Sequence, residues 1–224
     1  MSSPFLKLIQ QGATAEVADQ VQADPSLPAW RDPQGVSALL WAVYCGQTLV
    51  RDFLLARRAA DGIPLDIFEA AAIGNETMLR GLLEKEPDLA QTFSGDGWTA
   101  LHLAAAFGTP AAVSTLIAAG ARVDAVSRNP QQNQPLHAVL ALGKNAETVK
   151  ILLENGAPVN AAQAGGFTPI FSVAIANRRD LVELLLAHGA DPDHKSDAGK
   201  TATDFARERG HADLAAWLDS TAVE

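Results

Sequence analysis

One ten-residue stretch recurs along the whole chain, and no other feature limits the fold so strongly. "TALHLAAAFG", Thr99 to Gly108, returns as "QPLHAVLALG" (Gln134 to Gly143), "TPIFSVAIAN" (Thr168 to Asn177) and "TATDFARERG" (Thr201 to Gly210). Upstream lie "SALLWAVYCG" (Ser37 to Gly46), "LDIFEAAAIG" (Leu65 to Gly74) and a worn copy, "SPFLKLIQQG" (Ser3 to Gly12). The seven copies start at 3, 37, 65, 99, 134, 168 and 201, so the intervals are 34, 28, 34, 35, 34 and 33. A fixed period in this range means stacked supersecondary units that bury their apolar faces only against neighbours.

Each copy has two halves. A second apolar cluster follows the glycine, as in "AVSTLIAAGARVDA" (Ala112 to Ala125), "TVKILLENGAPVNA" (Thr148 to Ala161) and "LVELLLAHGADPD" (Leu181 to Asp193). Apolar residues three and four apart in both halves predict paired short helices. Thr99, Thr168 and Thr201 stand where an N-cap side chain satisfies free backbone N–H groups. Pro135 and Pro169 follow at the first helical position, where a missing N–H does no harm. Gly120, Gly156 and Gly189 sit just past the second helix, where a left-handed C-cap favours glycine.

"GWTALHLAAAFG", "GFTPIFSVAIAN" and "LLLAHGADPD" resemble ankyrin repeats, whose signature is T-P-L-H-x-A at about 33 residues. The resemblance runs from Ser3 to about Leu218. It is strong in copies four to seven, good in copy two, and weak in copies one and three. It implies an all-α ankyrin-repeat solenoid of stacked helix-turn-helix pairs with short β-hairpin or loop fingers, and a role in protein–protein binding. His102 and His137 then hold the fourth place of the T-P-L-H turn, where an imidazole ties the helix start to neighbouring backbone. Other copies carry Leu40, Phe68, Phe171 and Asp204 there, so no shared catalytic role is expected of the place.

The 28-residue interval is the informative irregularity. About six residues are missing across "ARRAADGIPLD", Ala56 to Asp66, where a projecting finger would lie. "ADPSL" (Ala23 to Leu27) in copy one matches "KEPDL" (Lys85 to Leu89) in copy three, so copies one and two resemble copies three and four as a pair. The expected organisation is one continuous solenoid, with residues 1–61 a degenerate N-terminal pair and 62–224 copies three to seven. Independent decay of two repeats is the rival history. Copy five carries one extra residue at "LGKNAETVK", Leu142 to Lys150, expected to lengthen the turn between its helices. The polar loop "SRNPQQNQ", Ser127 to Gln134, is expected to project and move. Copy seven closes the stack on Leu214, Trp217 and Leu218, with a polar outer face for solubility.

Composition narrows the function. The formal net charge is −9, which disfavours a surface that tracks nucleic-acid phosphates. No run of 18 apolar residues predicts a transmembrane helix, and "MSSPFLKLIQQG" is a poor signal peptide. Cys45 is the only cysteine, which suits a reducing compartment and a cytoplasmic protein. Alanine richness and eleven arginines against six lysines point to a GC-rich bacterial source. No phosphate-binding loop, no nucleophile elbow and no nucleophile–base set stands out. "HGADPDHKSD", His188 to Asp197, holds two histidines and three aspartates. It reads as helix end and loop rather than as ligands on a fixed scaffold. Neither catalytic residues, cofactor nor metal are expected. Cys45 has no activating neighbour in sequence.

The resemblance also implies which places face the fingers and inner groove. They hold Val36, Tyr44 and Cys45 in copy two, Trp98 and Phe107 in copy four, Leu142 in copy five, and Phe167 and Ile175 in copy six. Exposed aromatics in a row suggest a binding patch, since such residues dominate interface energetics. The alternative is that Trp98 and Phe167 pack on the next finger. The function expected is a non-catalytic module, monomeric, that binds another protein through Tyr44, Trp98, Phe107, Leu142, Phe167 and Ile175. The alternative is a regulatory or stress-related accessory protein that binds a small ligand or an enzyme partner.

Overall fold

The computed structural model describes residues 3–143 and 145–221. Fourteen α-helices fall in seven consecutive pairs. They are α1 (Pro4–Gln11) with α2 (Thr14–Ala23), α3 (Ala38–Tyr44) with α4 (Thr48–Ala60), and α5 (Ile67–Ala72) with α6 (Glu76–Lys85). Then come α7 (Ala100–Phe107) with α8 (Pro110–Ala118), and α9 (Pro135–Ala138) with α10 (Ala146–Glu154). The last pairs are α11 (Pro169–Ile175) with α12 (Arg179–Ala187), and α13 (Ala202–Glu208) with α14 (Ala212–Thr221). No strand occurs among the described residues, and the fold is the all-α repeat expected.

Helices this short are unstable alone, so stacking must hold them. The alanine-rich first helices make it possible. In α7 every residue from Ala100 to Ala106 is buried, because neighbours cover it on several sides and methyl side chains let backbones approach. The second helices bury one stripe only, such as Leu181, Val182 and Leu185 of α12. Two apolar cores result. The smaller joins Phe5, Ile9, Val17 and Val21 to Ala42, Val50 and Leu54 of the first four helices. The larger runs from α5 to α14, and Val36 and Leu40 of copy two reach into it. At the far end Leu214 and Leu218 are buried, and the Arg179 guanidinium lies 4.4 Å over the half-buried Trp217 ring.

The fingers are tight loops rather than hairpins. Isolated antiparallel bridges close three of them, at Arg31–Ser37, Phe93–Thr99 and Gln163–Phe167. A 3₁₀ turn precedes the first two, at Leu27–Ala29 and Pro87–Gln91, so the resemblance of "ADPSL" to "KEPDL" is also a resemblance of shape. Successive fingers are joined through backbone. Arg128 N donates to Gly97 O (2.8 Å), Ala164 N to Gln131 O (3.0 Å) and Asp197 N to Gly165 O (3.0 Å). The loop 127–134, expected to move freely, is therefore pinned from both sides. It is also closed on itself by Ser127 N to Asn133 O (2.8 Å).

The helix starts explain the varied fourth place. In copy three the N-cap is Asp66, one residue later than the sequence alignment put it, so Glu69 and not Phe68 stands there. Glu69 Oε2, His102 Nδ1, His137 Nδ1 and Asp204 Oδ2 each accept a hydrogen bond from the N-cap backbone N–H, at 2.9, 3.3, 3.3 and 3.0 Å. Carboxylate and imidazole do the same work, satisfying an otherwise free donor; the N-cap side chain returns the bond in copies three, four and seven, while the Gln134 side-chain oxygen of copy five has no partner. In copy six Phe171 cannot, and the buried Thr168 hydroxyl has no partner. The extra residue of copy five is taken up inside the helix. Val139–Gly143 forms a single π turn continuing α9, the usual form of a one-residue insertion.

Candidate functional site

The shortened interval brings non-neighbouring copies together. With no full finger in copy three, the fingers of copies two and four meet. A side chain at Gly95 would collide with the Gln34 carbonyl. Tyr44, the last residue of α3, reaches across and donates its hydroxyl to Asp96 Oδ2 at 2.7 Å. Its ring lies 5.5 Å from that of Phe107, the last residue of α7. The short α5 between them ends in Ala72, too small to keep the rings apart.

These contacts extend into a row. Trp41 lies 6.0 Å from Tyr44, and Trp98 stacks on Phe107 at 6.3 Å and sits 5.7 Å from the His102 ring. All four aromatic residues are half-buried. Of the residues singled out in sequence, the structure thus gathers Tyr44, Trp98 and Phe107. Phe167 belongs to a second group, 5.4 Å from Phe171 and 5.4 Å from Phe205 of the next copy. Leu142 stands alone on the π turn, 54% exposed. Ile175, half-buried at the end of α11, accepts the His211 Nε2 hydrogen bond on its carbonyl at 3.0 Å.

Sequence reasoning missed Trp41, Asp32 and Asp96. Trp41 is three residues before Tyr44, hence on the same helix face, a spacing that was open to view. Asp32 Oδ2 accepts from Trp41 Nε1 at 2.9 Å, while Oδ1 accepts from the Gln34 and Val36 backbone N–H groups, both at 2.9 Å. Asp96 accepts from Tyr44 and from the Ser94 hydroxyl. Beside finger two opens a cleft of about 620 Å³, lined among others by Leu6, Trp30, Arg31, Asp32 and Trp41.

Below the meeting point lies an ion-pair cluster. Arg58 and Glu69 are buried and paired, Nη1 to Oε1 at 2.5 Å and Nη2 to Oε2 at 2.9 Å. Arg58 also donates to Pro64 O, and Arg31 donates to Asp66 at 2.7 Å and to Gly35 O at 2.9 Å. Burial is the main cause that pushes the Tyr44 phenol well above its usual range, and the Asp96, Asp66 and Asp32 charges add to it.

The histidines are structural in geometry. His102 accepts at Nδ1 from the Thr99 backbone N–H, so its proton sits on Nε2, which donates to Asn133 O of the next finger at 3.1 Å. Burial holds its pKa down at about 4. His137 Nε2 likewise donates to Phe167 O at 3.3 Å, and burial lowers its pKa too. Burial pushes the Cys45 thiol upward, away from the thiolate. In the 188–197 stretch, His188 Nδ1 donates to Leu184 O and His194 Nε2 to Gly166 O, at 2.9 and 3.1 Å, so the two imidazoles serve separate turns.

Comparison with known proteins agrees with this architecture. The family of ankyrin repeats (3 copies) matches residues 67–163 and 138–222. The chain is 34% identical over 146 residues to a transient receptor potential cation channel subfamily A member 1 homolog of Caenorhabditis elegans, covering 65% of this chain and 12% of that protein. It is 31% identical over 161 residues to neurogenic locus notch homolog protein 4 of Homo sapiens, covering 72% and 7%. A B-cell lymphoma 3 protein homolog of Mus musculus is 33% identical over 117 residues, covering 51% and 26%. The chain thus spans about a quarter or less of the length of each of these three relatives. No described helix is long and apolar enough to cross a membrane. From the matched residues and the stacked helix pairs alike, the chain belongs to the ankyrin-repeat family.

Proposed function

We propose that this chain is a non-catalytic, monomeric module that binds a partner protein on the face where the first helices meet the fingers. Ankyrin repeats are in general protein-interaction modules, and a repeat scaffold fixes a surface on which function depends. The observation that carries the reading is the row Trp41, Tyr44, Phe107 and Trp98, whose rings touch in sequence across copies two to four yet stay part-exposed. Half-buried aromatics held by their neighbours are pre-organised, so little side-chain freedom is lost on binding. Leu142, exposed on the π turn of copy five, and Phe167 and Ile175 of copy six would add separate contacts outside that row. With a lone half-buried cysteine, the chain suits the cytoplasm.

The test is partner recovery with the intact chain and with Trp98→Ala plus Phe107→Ala. One stoichiometric partner, bound more than about thirtyfold less tightly by the double variant, is the expected result. Undiminished binding by a folded double variant would move the site off this face. An accompanying melting curve separates lost binding from lost structure, since Trp98 also packs on His102.

A further inference from the structure

We infer that the partner segment received by copies two to four is basic, with an apolar anchor on the aromatic row and a lysine or arginine side chain in the cleft beside Asp32. This rests on the reading of that face as a protein-binding surface.

Charge balance carries the argument. Around the junction stand four carboxylates, Asp32, Asp66, Glu69 and Asp96, and two guanidinium groups, Arg31 and Arg58. Both cations are already engaged. Arg58 is spent on Glu69, and Arg31 on Asp66, with Glu69 at 3.7 Å. Asp32 and Asp96 hold only neutral donors, the Trp41 indole and two backbone N–H groups for one, the Tyr44 and Ser94 hydroxyls for the other. Among the described residues neither has a cation within 4.0 Å. Two negative charges therefore flank the apolar row without compensation.

The cleft beside finger two has the matching shape. Trp30 and Trp41 line it together with Asp32, and its volume of about 620 Å³ exceeds that of one side chain. Indole rings attract cations, and a carboxylate beside them adds direct pairing. Arg31 lines the same cleft, but its charge is answered by Asp66. The chain's net charge of −9 would speed the approach of a basic segment and repel an acidic one. Row and cleft are continuous, because Trp41 belongs to both. An extended segment lying along them meets apolar and anionic surface in turn.

The experiment is selection of random displayed peptides on the full chain, with binders sorted by whether Trp98→Ala weakens them. The face-dependent binders are expected to carry lysine or arginine next to a bulky apolar residue. Made as fluorescent peptides, they should bind about tenfold more weakly to the Asp96→Asn, Asp32→Asn double variant, and progressively more weakly as salt rises. Asp96→Asn alone guards against a disturbed finger two, because an amide oxygen can still accept the Tyr44 hydroxyl. It should weaken the same peptides with an unchanged melting temperature. Face-dependent binders that are neutral or acidic would overturn the inference and leave the protein-binding reading standing. An absence of face-dependent binders would overturn the reading itself, and the inference with it.

Discussion

Arg58 and Glu69 form a two-pronged buried ion pair at the one place where the repeat runs about six residues short. The missing finger leaves copy three's helix start uncovered by loop, and the end of α4 covers it with a guanidinium instead. Buried pairs of this kind add little net stability, but loss of one partner strands a charge out of water. Arg58→Met should therefore cost about 3–5 kcal/mol in urea unfolding. Glu69→Gln keeps an oxygen to accept the Asp66 N–H and isolates the effect of charge; it should cost a similar amount. Arg58→Met with Glu69→Leu should recover most of the loss. A cost below about 1 kcal/mol for either single variant would show that water reaches the pair.

His102 makes the fold acid-sensitive in a stated window. Its folded pKa of about 4 lies below the ordinary 6.5, because burial disfavours the imidazolium. The unfolded chain then takes up a proton first as pH falls. Stability is fully present above about pH 6.5, declines toward pH 4, and levels off below it, by about 3 kcal/mol in all for this group. His102→Gln, whose amide can still accept at the N-cap, should lose about 1 kcal/mol near neutrality and flatten that decline. Chemical denaturation from pH 7 to pH 4 reads both effects. An equal slope in the two proteins would assign the acid sensitivity elsewhere, His137 being the next candidate.

Two threonines at the same place in the repeat should answer oppositely to one substitution. Thr99 Oγ1 accepts from His102 N at 3.4 Å and lies 2.8 Å from His102 Nδ1, whereas the Thr168 hydroxyl is buried without a partner. Thr99→Val removes a cap and should cost about 1 kcal/mol. Thr168→Val removes an unsatisfied polar atom of the same shape and should be neutral or stabilising by up to about 1 kcal/mol. Paired thermal melts decide it, and equal destabilisation would mean that Thr168 caps α11 after all.

How far the chain was legible follows from which interactions are local. The helix pairs, their caps and the C-terminal glycines were open to view, because each depends on residues within one period. The start of copy three lies one residue later than its Gly74 register implies, because the capping box Asp66/Glu69 opens a helix shorter by two residues than α7. Tyr44 and Phe107 were singled out as separate groove positions. Their contact was not, because it joins copies two and four across a copy whose finger is missing. Asp32 and Asp96 were overlooked because aspartate in a turn is ordinary. What sets them apart, the lack of a cation, is a property of three-dimensional neighbours.

Tyr44 offers the most direct check on that long-range junction, because it is the only tyrosine in the chain. Any phenolate signal therefore reports this residue alone. Burial, then the Asp96 charge and the hydrogen bond it accepts, all oppose ionisation, so the phenol is held well above its ordinary value of about 10. In an alkaline titration the native protein should show no phenolate absorbance at about pH 10–11, where the denatured chain is already ionised. The sign follows from linkage: a raised folded pKa contributes stability that is present below about pH 10 and is lost as pH rises further. The phenolate should appear only together with loss of helical circular dichroism. Tyr44→Phe should lower stability by about 1 kcal/mol, the worth of one part-exposed hydrogen bond to a charged group, and should loosen copies one and two before the rest in hydrogen exchange. Ordinary titration near pH 10 in a fully helical protein would mean that the Tyr44–Asp96 bond is open in solution, and that the fingers of copies two and four do not close over copy three.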